Sequence, residues 1–429
     1  MKSALVFLIV VVFLLSFLPN VMFSGDTAHA ASSMYGDLNE DGGVNSIDFA
    51  LMRSYLMGMI SDFPTSNGKK VGDVNADNAV NSIDFAYMRS FLLGLISRFP
   101  AEDIPLVTPT ATPKVTPTAT PVTGAIVVDK NGSGRFTTVQ AAVNSLGTNS
   151  SASKTIYIKN GDYKEVVTIS SGISNLTIIG ESKNAVIHYD NYNGKSNGKG
   201  GTYGTSGSAS VFIKGSNISV ENVTFKNSFV ELGNSNEQAV ALNVTGSKVK
   251  FFNCNFLGNQ DTLLCDGGTQ YFYKCLVAGD VDFIFGRSQA VFEQCEVRSL
   301  NRRSSSNNGY ITAARTDKTA SFGLVFLNCR LTCESGTAAN TVWLGRPWCP
   351  SGTDVNKPAV AYINCTMDAH IKAEGWTSMS GVSPSHGRFY EYRSIGSGAV
   401  VNGSRPQLSW SDAENYTKSN VLGGWNPNF

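Results

Sequence analysis

Two acids and one arginine carry the chemistry that this sequence suggests. Gly258-Asn-Gln-Asp-Thr-Leu-Leu264 sets Asp261 in an apolar stretch, and Gly279-Asp-Val-Asp-Phe-Ile-Phe-Gly286 sets Asp282 in another, 21 residues later. Leu344-Gly-Arg-Pro-Trp348 adds Arg346 and an aromatic ring. Two carboxyl groups held close together cannot both ionise cheaply, so one is pushed towards its neutral form unless a cation compensates. A two-pronged contact from Arg346 would keep Asp282 ionised and oriented. The pair then divides into an anionic nucleophile and a protonated acid. Those are the two roles an ester cleavage needs when neither a serine nor a metal takes part.

Such a meeting requires an element that stacks distant segments in register. From Ala125 onward the chain reads as short β-runs broken by Asn and Gly, such as Thr155-Ile-Tyr-Ile158 and Leu176-Thr-Ile-Ile179. An asparagine-or-cysteine rung then recurs in Val249-Lys-Phe-Phe-Asn-Cys254, Gln270-Tyr-Phe-Tyr-Lys-Cys275, Val291-Phe-Glu-Gln-Cys295, Leu324-Val-Phe-Leu-Asn-Cys329 and Ala361-Tyr-Ile-Asn-Cys365. Spacings of 21, 20, 34 and 36 residues describe one coil with inserted loops. Strands repeating at that period without helices between them predict a parallel β-helix. Neighbouring parallel strands lie about 4.8 Å apart, which brings Asp261 and Asp282 onto one outer face. Period-two alternation turns Asp280 and Asp282 outward and Val281 and Phe283 inward. Cys254, Cys275, Cys295, Cys329 and Cys365 then stack as core thiols. Cys265, Cys333 and Cys349 lie off that rung, and a disulfide among them stays open.

The preceding part of the chain has a different organisation. Lys2, the apolar run Ala4 to Leu18 and Ala28-His-Ala30 read as a secretory leader over residues 1–30, with no membrane anchor in the mature protein. Residues 31–101 hold a duplication: Gly36-Asp-Leu-Asn-Glu-Asp-Gly-Gly-Val-Asn-Ser-Ile-Asp48 returns as Gly72-Asp-Val-Asn-Ala-Asp-Asn-Ala-Val-Asn-Ser-Ile-Asp84. Asp37, Asn39, Asp41, Asn45 and Asp48 fall at the ligand spacing of a calcium loop, as do Asp73, Asn75, Asp77, Asn81 and Asp84. Gly43 and Ala79 would each add a backbone carbonyl. Aspartate replaces the usual glutamate at the last position of both loops. A helix follows each loop and stops at Gly58 or Gly94. Residues 102–124 form a Thr/Pro-rich linker with an extended polyproline habit. A net charge of +1 gives no electrostatic footprint for nucleic acid, and 42 glycines with 16% charged residues suit a β protein rich in turns.

The duplicated half-EF-hand resembles a dockerin, a small α module with two calcium loops. That resemblance implies two Ca²⁺ ions and docking onto a cohesin of a cellulosome-type scaffold. Ser46-Ile47 and Ser82-Ile83 stand at the positions that contact the cohesin, and the two near-identical faces imply two binding orientations. Residues 125–429 resemble the pectin methylesterases, for which GNQDTL, VDFIFG and LGRPW are signature segments. The resemblance implies a right-handed parallel β-helix and hydrolysis of the galacturonate methyl esters of homogalacturonan, with release of methanol and pectate, by a secreted, monomeric, metal-free catalytic domain. It assigns Asp282 as nucleophile, Asp261 as acid then base, Gln260 and Gln238 as oxyanion donors, and Arg346 as the group that holds Asp282. Trp348 and Phe285 become substrate-face aromatics. Two departures stand out. Asp280 replaces the more usual Thr or Asn, adding negative charge beside the nucleophile and raising the expected working pH. Met379 replaces a second tryptophan three residues after Trp376, which leaves Trp376 without a settled role. A pectate lyase or polygalacturonase would share the β-helix, but the sequence lacks their calcium-binding acid cluster and their Asn-Thr-Asp and Gly-His-Gly segments. A non-catalytic pectin-binding solenoid would leave the Gln-Asp, Asp and Arg constellation unexplained.

Overall fold

The computed structural model describes residues 34–65, 67–76, 79–94, 96, 98–103, 123–147 and 153–429. The expected leader, most of the expected linker (residues 104–122) and Asp77 lie outside the described residues. The chain divides into two units, Met1–Lys114 and Val115–Phe429.

One corner builds the larger unit. Asn253, Lys274, Gln294, Asn328 and Asn364 all have φ of 52–53°, a left-handed conformation that asparagine tolerates better than most residues. Each immediately precedes a rung cysteine and swings it inward. Cys254, Cys275, Cys295, Cys329 and Cys365 are all buried. Each thiol points at a carbonyl of the preceding coil, with Sγ 3.3–3.6 Å from the oxygen of Val220, Phe251, Phe272, Phe292 or Phe326. The thiols therefore stack, and all eight cysteines are free. Cys265, off the rung, is also buried in the core, on a different sheet.

Repetition of the corner lays down three parallel sheets of 10, 7 and 8 strands around one apolar core. This is the predicted parallel β-helix. An aromatic ladder runs through the core of the largest sheet. Phe251, Phe272, Phe292, Phe326 and Tyr362 are partners in successive strands, with ring centroids 4.4–4.8 Å apart. Offset stacking at that distance adds to the burial of each ring. The seven-stranded sheet carries Asp282 and Arg346, with Asp261 in the turn that leads into it: Leu263–Cys265, Val281–Gly286, Gly309–Ala314 and Val342–Pro347 are consecutive neighbours in it.

In the smaller unit, helices Ser46–Leu56 and Ser82–Leu92 begin with matching capping boxes at Asn45 and Asn81. The first ends in a Schellman turn: Gly58, at φ 68°, donates to Tyr55 O and Met59 donates to Ser54 O. Phe49 and Phe85 stack across the two helices at 4.2 Å. Leu38, Met52, Phe63, Val71, Val74, Met88 and Phe99 form the buried centre. No helix among the described residues is long and apolar enough to cross a membrane.

Candidate active site and calcium loops

Asp261 lies in the turn between strands Asn255–Leu257 and Leu263–Cys265, whereas Asp282 lies within strand Val281–Gly286 and interrupts its pattern. Asp261 has φ 65° and Asp282 has φ 50°. The register shifts between Val281, which faces Tyr310, and Ile284, which faces Thr312. Strict alternation therefore fails at Asp282: Phe283 and Ile284 both enter the core, and Val281 does not. This corrects the inward placement expected for Val281. The bulge lets Asp282 face the cleft without pulling Phe283 out of the core. Close backbone approach supports it, since a Cβ on Gly309 would come within 1.9 Å of Asp280 O. Asp261 N donates to Val281 O at 2.9 Å, which fixes the two acids on adjacent coils.

Arg346 meets Asp282 with two parallel bonds, Nε to Oδ1 at 2.8 Å and Nη2 to Oδ2 at 2.5 Å. Its guanidinium lies 3.8 Å from the Tyr310 ring centroid, so the ring backs the ion pair. Burial raises the Asp282 carboxyl, and the Arg346 bonds and charge oppose that rise. Asp261 is also buried, and no side chain among the described residues donates to its carboxyl. Burial, followed by repulsion from Asp282, pushes it well above the ordinary carboxylate range. Both carboxyls are thus raised, Asp261 the more strongly, with Arg346 favouring the anion at Asp282.

The cleft holds about 340 Å³, and its wall includes Asp261, Asp282, Gln238, Gln260, Arg346, Trp348 and Phe285. All seven residues singled out from sequence for the catalytic unit thus meet in one place. Trp348 is half-buried, whereas Phe285 is 3% exposed and lies beneath it, with ring centroids 5.8 Å apart. Trp376 is instead a core residue, 5% exposed and stacked on Phe389 at 4.5 Å. Met379 reaches the cleft wall, as does Thr205. Sequence reasoning missed Asn193, whose Nδ2 donates to Gln238 Oε1 at 2.8 Å. It also missed Tyr310 behind Arg346, and the pair Glu231 and Arg302. Asn193 and Thr205 lie between strands Ala185–Tyr189 and Val211–Ile213, outside the rung repeat.

The first of the two duplicated loops gathers its acids. One carboxylate oxygen from each of Asp37, Asp41 and Asp48 lies within 4.8 Å of the other two. Asp48 is fully buried, with Oδ1 accepting from Leu38 N and Asn39 N and Oδ2 from Asn45 N. Gly42, at φ 94°, makes the tight turn. Asn39 and Asn45 both reach Asp41 through their amide nitrogens, at 2.8 and 3.3 Å, while Asn45 Oδ1 caps the helix at Ile47 N. Hard oxygen donors converging at this density suit Ca²⁺. In the second loop Asp84 repeats the latch, accepting from Asn81 N at 2.8 Å and Asn75 N at 3.3 Å. Ser46, Ile47, Ser82 and Ile83 are all exposed.

Comparison with known proteins gives two family matches: the pectinesterase family over residues 125–424 and the dockerin type I domain over residues 35–93. Pectinesterase A of Dickeya chrysanthemi is 36% identical over 307 residues, covering 63% of this chain and 83% of that protein. Probable pectinesterase 8 of Arabidopsis thaliana is 34% identical over 294 residues, covering 67% and 71%. Among solved structures, pectin methylesterase PemA from Erwinia chrysanthemi aligns with a TM-score of 0.65 at 35% identity, covering 72% of this chain and 99% of that one. The carrot pectin methylesterase aligns with a TM-score of 0.62 at 27% identity, covering 71% and 95%.

Proposed function

The chain belongs to the pectinesterase family and carries a dockerin type I domain, and we propose that Asp282 is the nucleophile of its pectin methylesterase reaction. The observation that carries this reading is the two-pronged Arg346–Asp282 ion pair beside a carboxyl, Asp261, that burial pushes well above the ordinary carboxylate range. Asp282 attacks the methyl-ester carbonyl of a galacturonate residue in homogalacturonan. The carbonyl electrons move to oxygen, where the Gln238 and Gln260 amides donate to the oxyanion. Collapse breaks the bond to methoxide, which takes the Asp261 proton and leaves as methanol. Asp282 is then acylated, and Asp261 is anionic. Asp261 removes a proton from water, the hydroxide adds to the acyl carbon, and Asp282 departs as carboxylate. The products are methanol and a free galacturonic acid, which loses its proton to solvent, with both aspartates back in their starting protonation states. Trp348, with Phe285 beneath it, offers a flat apolar face for a sugar ring. Arg346, Asp261 and the two amides supply every role in this scheme, so calcium belongs to the dockerin.

The dockerin is read as holding two Ca²⁺ ions and presenting Ile47 and Ile83, on equivalent helices, to a cohesin. The enzyme would thus act outside the cell on a cellulosome-type scaffold. Methanol release from methylated pectin tests the catalytic part. Asp282→Ala should abolish it while leaving the thermal unfolding of the β-helix in place; turnover at the wild-type rate would remove the nucleophile assignment.

A further inference from the structure

A second carboxylate sits two residues from the nucleophile. Asp280 is 4% exposed, and its Oδ1 accepts from Val281 N at 2.6 Å. Its Oδ2 accepts from Arg302 Nη1 at 2.7 Å, and the same nitrogen lies 3.3 Å from Glu231 Oε2. Glu231 Oε1 in turn accepts from Gln260 N at 3.3 Å. One guanidinium thus links the strand of Asp282 to the loop of Glu231, and the path ends on the backbone of the proposed oxyanion donor.

We propose that Arg302 is a positioning residue that offsets the charge of Asp280 at Asp282 and, through Glu231, fixes Gln260. The proposal rests on the reading of Asp282 as nucleophile. The groups facing Asp282 are Asp261 on the preceding coil, Arg346 with Tyr310 behind it on the following coils, and Asp280 on its own strand, with Arg302 and Glu231 behind Asp280. With Asp261 protonated, three carboxylates face two guanidiniums. Loss of Arg302 leaves Asp280 and Glu231 uncompensated, and both then oppose ionisation of Asp282. The Arg302 side chain is 39% exposed, so its replacement opens no cavity in the core.

The test is the pH profile of kcat/KM for methanol release from methylated pectin, with the full chain. Arg302→Gln should move the acid limb upward by about half to one pH unit, the size that one charge within roughly 10 Å produces at protein dielectric. Asp280→Asn should move it downward, and Arg302→Gln combined with Asp280→Asn should bring it back to near the wild-type position. Arg302→Lys, which keeps the charge, should stay close to wild type. An unmoved acid limb in Arg302→Gln, or a raised KM with the limb in place, would overturn the proposal and make Arg302 a substrate contact. Asp280→Asn is nearly isosteric, so it gives an independent reading should Arg302→Gln fold poorly. The nucleophile reading fails separately, through methanol release from an Asp282 variant.

Discussion

Asn193 donates its side-chain amide to Gln238 Oε1 at 2.8 Å, while its backbone N–H donates to Gln238 O at the same distance. The carbonyl end of Gln238 is therefore occupied, and its NH₂ is left for the cleft. An amide that must donate to an oxyanion has to be held in that orientation, because a rotation puts an acceptor where negative charge develops. Asn193→Asp would turn the partner from donor to acceptor and favour the rotated amide. The expected result is a fall in kcat of about 10- to 100-fold with KM little changed, smaller than deletion of an oxyanion donor gives. Steady-state methanol release checks this, and Asn193→Ser, which keeps a donor, should recover part of kcat.

The pH profile should report both acids. In the proposed mechanism Asp282 must be ionised to attack, and burial raises its carboxyl, so the acid limb of kcat/KM should lie above the ordinary carboxylate range. Asp261 must be protonated to release methanol, and it is raised further by burial and by Asp282. Activity should therefore rise as Asp282 loses its proton and fall as Asp261 loses its own, the two limbs belonging to the pair. Arg346→Lys removes the fork that opposes the rise at Asp282, so the acid limb should move upward. Asp261→Asn should cost at least about 100-fold in kcat, as loss of a general acid does, and should erase the basic limb. A basic limb that survives in Asp261→Asn would assign it to another group.

The coil was legible because its code is local. A left-handed residue followed by an inward thiol repeats at each rung, and both halves of that signal lie next to each other in sequence. The aromatic ladder is written in the same local code, three residues before each rung cysteine from Phe251 to Tyr362. The three acid and arginine segments met because parallel register fixes their positions. Alternation failed at Val281 because a bulge is a tertiary event: Tyr310 and Thr312 of the next coil decide it, and nothing within the strand does. Asn193 and Arg302 arrive from loops 45 and 71 residues away from their partners Gln238 and Glu231, outside any repeat. Trp376 illustrates the opposite limit, since a tryptophan beside a glycine reads alike whether it caps a cleft or fills a core.

Near the C-terminal end of the coil, Arg405 is wholly buried and binds Glu391 through Nε at 2.7 Å and Nη2 at 2.5 Å, with Nη1 donating to Gly398 O at 2.7 Å. Removing one member of such a pair strands the other charge in the core, at a cost of about 3–5 kcal/mol. Arg405→Met should lower the melting temperature of the β-helix by roughly 6–15 °C, given the usual few degrees per kcal/mol in domains of this size. Adding Glu391→Gln should restore part of the loss, because the stranded group is then neutral. Calorimetry of the single and double variants measures both numbers, and a double variant less stable than Arg405→Met would show that the pair acts through shape alone.

Calcium should matter to docking and leave the ester chemistry alone. Asp37, Asp41 and Asp48 hold carboxylate oxygens within 4.8 Å of one another, and like charges at that spacing repel until a cation joins them. Binding at 100 times the dissociation constant would add about 2.7 kcal/mol per site to the fold of the small unit. A chelator should therefore lower the melting transition of the dockerin and abolish its capture by a cohesin. Methanol release from soluble pectin should change by less than about twofold, because Asp282, Asp261 and Arg346 complete their roles by hydrogen bonding and burial. Asp48→Ala sharpens the comparison. It deletes a ligand and also the acceptor for Leu38 N, Asn39 N and Asn45 N, so the small unit should melt early even in excess calcium while esterase activity persists. If chelation instead reduced methanol release in proportion to its effect on docking, calcium would have to act within the catalytic unit, and the separation of roles between the two halves of the chain would fail.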